Sequence, residues 1–410
     1  PSFSADIDRD ALCLFMRYNY ISAPHSIYHG IYKLMPGHLL RVSVDKREPT
    51  LESYWSFIDV AVSSNGSQLD GSAQDAVDEL EALLKSAIRQ QMMADVPLGA
   101  FLSGGVDSST VVALMQSQSD IPVKTFTIGF DESGYNEAKH AKAVARHLGT
   151  EHTELYVSPE EARDVIPKLP SLYDEPFADS SQVPTFLVSQ LARKDVTVAL
   201  SGDGGDELFG GYNRHRWANN VWDRMRYLPI WLRHSLSAII STPSEQRWNR
   251  IYSLLEFIIP LRYRMRLPGE KIHKVAISLS ALNIEDLYQC LTSLWDGAED
   301  IVLGVSKNDN DSLNIEGRSI AEKIMFLDLG IYLPGDILTK LDRAAMGVSL
   351  ETRIPFLNHK VVEFAWNMPI EMKLRNGEGK WALRRILERY LPIDLINRPK
   401  MGFGVPIDSW

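Results

Sequence analysis

Apolar residues recur at three-to-four spacing from Val77 to Met92, through Leu80, Leu83, Leu84 and Ile88, with Glu and Lys between them. That period predicts an amphipathic helix. The pattern then alternates. Val96–Leu102 reads as a strand and Ser109–Ser117 as a helix. Lys124–Phe130 is a strand, and Tyr135–Leu148 is a helix with Ala138, Ala141, Val144, Ala145 and Leu148 on one face. Glu151–Val157 follows as a strand and Val183–Arg193 as a helix. Val196–Leu200 is a continuous apolar run, as expected of a strand covered on both faces. Strands alternating with helices predict an α/β fold around a parallel sheet.

The pattern changes on either side. Residues 1–60 read as short extended pieces. Leu39–Val44 and Tyr54-Trp55 suit strands, and Pro36-Gly37 and Asn65-Gly66 suit turns. The polar stretch Val62–Asp75, rich in Gly and Ser, reads as a linker. From about residue 212 the strand signal fades. Helical periods dominate, as in Ile320–Leu333, Lys360–Asn367 and Trp381–Tyr390. Trp217, Trp222, Trp231 and Trp248 are expected to pack this helical half. Gly304–Gly317 is polar and aperiodic, a candidate mobile loop.

Composition narrows the class. The chain has 410 residues, with 43 Lys+Arg against 53 Asp+Glu and a net charge of −10. That balance argues against nucleic acid or an anionic membrane as a partner of the whole protein. It leaves room for a local basic pocket. No apolar run reaches the roughly 18 residues of a membrane-crossing helix. Cys13 and Cys290 are far apart, without CxxC or Cys/His zinc spacing, which points to a reducing, cytoplasmic setting. No signal peptide is visible at Pro1. The missing initiating Met and the stop at Trp410 read as ends cut from a longer protein.

Two loops carry the chemistry. Ser103-Gly104-Gly105-Val106-Asp107-Ser108-Ser109 follows an apolar strand and opens an apolar helix. Glycines let the backbone turn tightly, and N–H groups at a helix start form an anion site. Hydroxyls of Ser103, Ser108 and Ser109 add donors. The Gly-Lys-Ser/Thr ending of a Walker A loop is missing, and so is the dinucleotide GxGxxG spacing. A carboxylate beside phosphates calls for a cation between them, so Asp107 points to Mg²⁺. The second loop, Ser201-Gly202-Asp203-Gly204-Gly205-Asp206-Glu207, follows Val196–Leu200. Ligands of open parallel sheets sit at the carboxyl ends of strands, so both loops belong on one edge. The three carboxylates of the second loop need a metal, a cation or solvent to offset their repulsion.

An SGGxDS loop after a strand is the signature of the ATP pyrophosphatase loop. With the second loop, it makes the chain resemble the synthetase half of the glutamine-hydrolysing asparagine synthetase family. Further stretches share the resemblance: Tyr28–Leu40, Lys124–Phe130, His147–His152, Lys340–Leu357, Gly377–Leu383 and Arg398–Trp410. The resemblance implies an adenine-nucleotide α-hydrolase-like, Rossmann-like synthetase domain over 76–410 with a largely helical C-terminal half. It implies a linker at 61–75 and a β-rich remnant of a glutaminase domain over 1–60. It further implies ATP and Mg²⁺, a carboxylate adenylated with release of pyrophosphate, and ammonia displacing AMP to give an amide.

By this resemblance Ser103, Gly104, Gly105, Asp107 and Ser108 hold pyrophosphate and its magnesium. Leu102 and Ile128 flank the adenine, helped by the backbone of Ser201 and Gly202. Asp206 is a metal or substrate ligand, and Lys380 neutralises the phosphate and the adenylating transition state. Asp203 stands where many members carry Glu, and is one methylene shorter. It could assist formation of the intermediate or take a proton from the attacking ammonia. Family members release ammonia from glutamine with an N-terminal cysteine. Here Cys13 is internal in a helix-like run and reads as core, so ammonia is expected from a glutaminase domain outside this chain.

The acceptor stays open. Free aspartate needs a cation for its α-carboxylate, and Asp174–Pro184, where aspartate-using members place Thr and Arg, contains none. Aspartate and other acids, including sugar acids of surface polysaccharides, are both retained. Intramolecular amide closure, as in the related β-lactam synthetases, calls for a Tyr/Glu catalytic pair that is not evident here, and Asp107, Asp203, Asp206 and Lys380 argue against a non-catalytic nucleotide-binding module. Arg214-His215-Arg216 reads as a solvated helix face, and Arg262, Arg264 and Arg266 as a short basic stripe. A homodimer is a candidate assembly.

Overall fold

A computed structural model describes residues 4–64, 71–130, 136–255, 268–295, 297–306, 315 and 317–397. The Arg262–Arg266 stripe, Arg398–Trp410 and most of 304–317 lie outside the described residues.

An antiparallel hairpin of β1 (His38–Ser43) and β2 (Lys46–Ser53) precedes the main sheet. Tyr54 and Trp55 follow β2 instead of forming a strand, and Ser56 caps a short helix, Phe57–Ser63, that the sequence pattern does not reveal. The N-terminal segment also holds a helix, Arg9–Tyr18, on which Cys13 is buried against Ala298 and Val302. Helices run into both ends of the 61–75 stretch, since Ala73–Gln91 starts on a Ser72 capping box. Trp55 Nε1 donates to Glu363 Oε1 at 3.0 Å, and the Phe57 ring meets Trp366 edge-on at 5.0 Å.

The main sheet contains β3 (Leu98–Phe101), β4 (Lys124–Phe130), β5 (Glu151–Val157), β6 (Val198–Leu200) and β7 (Glu351–Arg353). All pairings are parallel, in the order β5-β4-β3-β6-β7. Strand order reverses at β3, so the crevice between the ends of β3 and β6 is the switch point where such sheets bind ligands. β7 corrects the expectation that strands end before residue 212. Glu351-Thr352-Arg353 is too short and polar to show a period. It is a strand because it pairs in register with Val198, Ala199 and Leu200.

Two apolar layers enclose the sheet. Successive strand residues point to opposite faces. Leu200 joins Leu80, Leu84, Val112 and Met115 in one layer, while Ala199 joins Phe186, Val188, Ala344 and Ala345 in the other. Helices Ala73–Gln91 and Val106–Gln116 build the first layer, and Gln182–Ala192 and Thr339–Met346 the second. The single helix expected over Ile320–Leu333 is α-helical only through Leu327 and continues as a π-helical segment, Asp328–Leu338. Pro334 lies inside that segment; it has no N–H to donate and crowds the preceding turn. Trp217 and Trp231 are 51% and 66% exposed, so these two do not pack the helical half as expected. Trp222 does pack beside Met225 and Leu287, and Trp248 Nε1 donates to Ile240 O.

Candidate active site

The loops after β3 and β6 meet at the switch point, in a cavity of about 760 Å³. The first loop is held by its own hydroxyls. Ser103 Oγ lies 3.0 Å from Ser108 Oγ, and Gly105 N–H donates to Ser103 Oγ. Gly105 caps helix Val106–Gln116, leaving the first-turn N–H groups at the cavity. The second loop packs directly on the first. A Cβ at Gly202 would lie 2.7 Å from Ser108 N, and one at Gly205 would overlap the Asp107 carboxylate. Only glycine allows that approach.

Lys380 joins the two loops. Its ammonium pairs with Asp107 Oδ2 and, at 2.7 Å, with Asp206 Oδ1, while its side chain is 9% exposed. The residue is left-handed (φ +62°) at the start of helix Trp381–Leu387, and its N–H donates to Phe209 O. Burial alone would lower its pKa, but Asp107 and Asp206 outweigh it and hold the ammonium above lysine's ordinary value. Asp107 and Asp206 thus offer hard oxygens at one point, which the ammonium fills. Mg²⁺ is typically held by one or two carboxylates together with phosphate oxygens. This donor pair fits that pattern, though among the described residues no group of three metal-ligating side chains exists.

The other predicted residues fall around the same space. Leu102, Ser103, Gly105, Ser108, Ile128, Ser201, Gly202 and Asp203 all line the cavity. Gly104 does not; its φ of +72° and its close approach to Ala141 N shape the turn. Asp203 is half-buried and accepts from Ser201 Oγ at 2.5 Å. Burial raises its pKa. Glu207, at the end of the loop, is buried and accepts from Tyr212 Oη at 2.6 Å. Burial and the neighbouring Asp206 push its carboxyl up to about 8.

A second charged cluster was not visible in the sequence. Lys340, on helix Thr339–Met346, pairs with Asp179 Oδ2 at 2.5 Å. Both line the cavity. Burial would lower the Lys340 pKa, yet Asp179 and Asp336 hold it up. Burial would raise Asp179, and Lys340 brings it below its ordinary value. Asp336, on the π-helical segment, is raised to about 7, mainly by burial. The one sequence signal is that Lys340 opens the Lys340–Leu357 stretch that shares the family resemblance, which says nothing about its distant partner.

Arg214 and His215 are not on a solvated face. Arg214 donates three hydrogen bonds to the buried Asp328, His215 Nε2 lies 2.6 Å from Asp328 Oδ2, and Tyr288 Oη donates to Oδ1. The guanidinium also stacks on the rings of Tyr212 (4.1 Å) and Tyr332 (4.9 Å), both of which line the cavity. Arg216 reaches the cavity and donates to Gly377 O.

A family model described as asparagine synthase matches residues 79–410. The glutamine-hydrolyzing asparagine synthetase 1 of Bacillus subtilis strain 168 is 32% identical over 409 residues, which cover 99% of this chain and 60% of that protein. Amidase chyE of Penicillium rubens is 24% identical over 427 residues, covering 94% of this chain and 60% of that protein. The chain thus spans about three fifths of the length of these curated relatives. Among solved structures, NMN synthetase from Francisella tularensis aligns over 34% of this chain and 58% of its own, at 16% identity and a TM-score of 0.25.

Proposed function

Because this chain belongs to the asparagine synthase family, we propose that it carries out ATP-dependent amidation of aspartate. The β-carboxylate attacks the α-phosphorus of ATP, and pyrophosphate leaves. Ammonia then attacks the acyl carbon, AMP leaves, and one proton is released. One observation carries this reading: Lys380 pairs with a carboxylate from each loop at the switch point of the sheet.

The residues divide the work by position. The N–H groups and hydroxyls of the Ser103–Ser108 loop face the leaving pyrophosphate, at a helix start that favours anions. Leu102 and Ile128 supply apolar surface for the adenine. Mg²⁺, held by Asp107 and Asp206, would offset the phosphate charge. Lys380 stays charged across the neutral range and supplies a fixed cation where negative charge develops. Asp203, held by Ser201, would take the proton from ammonia, and its raised pKa supports that role.

Residues 1–60 are read as the end of a glutaminase domain, 61–75 as a linker and 76–410 as the synthetase domain. The hairpin exposes Leu40, Val42 and Leu51, apolar surface that the rest of such a domain would cover. In the longer protein that domain would supply ammonia from glutamine, in a cytoplasmic setting. Among the described residues no helix is long and apolar enough to cross a membrane.

The test is pyrophosphate release by the full-length protein with ATP, Mg²⁺ and ammonium, using aspartate beside a panel of uronic and nucleotide-linked sugar acids. Release with aspartate, and asparagine detected by mass, is the expected result. Release with a sugar acid alone would replace aspartate as acceptor. Nucleotide binding without release with any acid would reduce the chain to a binding module.

A further inference from the structure

Lys380 reaches the two loops from the base of a small hairpin. Arg375 and Glu378 exchange both backbone hydrogen bonds, each 2.9 Å, around Asn376-Gly377. Both central residues are left-handed, at φ +54° and +79°. Asn-Gly is a pair that two-residue turns of this kind favour. Lys380 is left-handed as well, and Trp381 closes the base by donating its N–H to Lys373 O at 3.1 Å. Non-glycine residues keep that conformation only where their surroundings fix them. The base is fixed, since a Cβ at Gly379 would overlap Gly210 O and Lys380 N–H donates to Phe209 O. The tip stands in solvent: Arg375, Asn376, Gly377 and Glu378 are all exposed. A side chain from another element reaches it. Arg216 Nη1 donates to Gly377 O at 3.2 Å, while Nη2 donates to Asn213 Oδ1. Asn213 and Arg216 lie one turn apart on helix Asn213–Met225, which starts just after Gly211 and Tyr212. One stretch of chain thus supplies Asp206, a partner of the Lys380 ammonium, and Arg216, a hold on the turn that carries Lys380.

We infer that Arg216 is a positioning residue for adenylation: it straps the Asn376-Gly377 turn to helix Asn213–Met225 and so keeps the Lys380 ammonium where it meets both Asp107 and Asp206. This inference rests on the adenylation reading above. A cation stabilises developing charge only if it is already in place, and a misplacement of about 1 Å can cost about 100-fold in rate. The stem of a lysine is long and flexible, so its aim depends on where its backbone is held. A guanidinium suits the strap because its forked donors reach two acceptors at once, here one on its own helix and one on the turn.

The experiment measures pyrophosphate release by the full-length protein with ATP, Mg²⁺, ammonium and aspartate, or with the acid of the panel above that supports release. Arg216→Met should lower kcat about 10- to 100-fold and leave the KM for ATP within about twofold, because Lys380 acts on charge that develops in the transition state. Arg216→Lys keeps a donor for Gly377 O and should recover most of the loss. Asn213→Ala frees the guanidinium without removing it and should cost less than about 10-fold; it also serves if Arg216→Met folds poorly. The deciding measurement is the double variant. In a Lys380→Met background, Arg216→Met should cost less than about twofold more, since the group it positions is gone. A loss of the same size in both backgrounds overturns the inference. So does a raised KM for ATP with kcat unchanged, which would make Arg216 a direct contact of the nucleotide, and so does activity that merely follows a falling melting temperature across the variants. No release by the wild type with any acid would overturn the adenylation reading and this inference with it.

Discussion

Two parts of the cavity lining are built by different means. The part formed by the two loops is made of backbone. Its glycines let the loops after β3 and β6 touch, so that a Cβ at Gly202 would press on Ser108 N. The Asp179–Lys340 cluster in the same cavity is made of side chains drawn from separate parts of the chain. Asp179 and Lys340 are 161 residues apart. Tyr332 and Asp336 come from a π-helical segment, and Arg214 stacks on the Tyr332 ring. A phosphate can be recognised by local chain geometry, which a short motif encodes. A charge cluster such as Asp179–Lys340 is assembled only by the fold.

The largest expected effect falls on the Arg214–Asp328 pair behind Tyr332. Asp328→Ala strands the Arg214 guanidinium, which Asp328 satisfies with three hydrogen bonds. Removing one partner of a buried ion pair costs about 3–5 kcal/mol. Chemical denaturation should show that loss. A change below about 1 kcal/mol would mean that the pair carries little of the stability.

At the two loops, Lys380→Met should lower pyrophosphate release about 100- to 1,000-fold, near 3–4 kcal/mol of transition-state stabilisation. It leaves Asp107 and Asp206 facing each other without their shared ammonium. Added Mg²⁺ should therefore raise the melting temperature of the variant more than that of the wild type. Equal shifts would argue against these two carboxylates as metal ligands. Gly211→Ala is a smaller change in the same place. Its methyl group would overlap Asp206 Oδ1 and Lys380 Cε, and overpacking of this kind costs about 1–3 kcal/mol. Activity should fall with stability, and an unchanged melting curve would show that the loop gives way easily.

The smallest effect concerns a lysine outside both parts. Lys373 is buried, stands 5.1 Å from the Trp366 ring, and its Nζ has no hydrogen-bond partner among the described residues. Burial lowers its pKa to about 7 from 10.5. Between those values the unfolded chain binds more protons than the folded one, so this group makes stability rise with pH. The slope is at most about 1.4 kcal/mol per pH unit. Lys373→Met should be more stable than the wild type near pH 7, and its advantage should shrink about two pH units higher. A constant advantage would place the benefit in packing alone.

The same contrast explains what could be read from the sequence. Lys124–Phe130 and Glu151–Val157 are strands over the ranges their patterns predict, because each is long enough to show them. Asp107, Asp203 and Asp206 were legible as neighbours because two short loops carry them to one sheet edge. Lys380 was legible only through family resemblance. Nothing local marks Lys340, whose burial depends on Asp179 and Asp336. Arg214 and His215 read as solvated because Asp328, more than a hundred residues away, is invisible in their own helix. β7 escaped notice because three polar residues show no period, and pairing with β6 alone makes them a strand.

The most direct test of adenylation follows the oxygen. With the β-carboxylate of aspartate labelled by heavy oxygen, the full-length protein is given ATP, Mg²⁺ and ammonium, and the products are weighed by mass spectrometry. Attack of the carboxylate on the α-phosphorus places one labelled oxygen in AMP and none in pyrophosphate. Label in inorganic phosphate with ADP as co-product, or asparagine formed with no label in AMP, would contradict the acyl-adenylate.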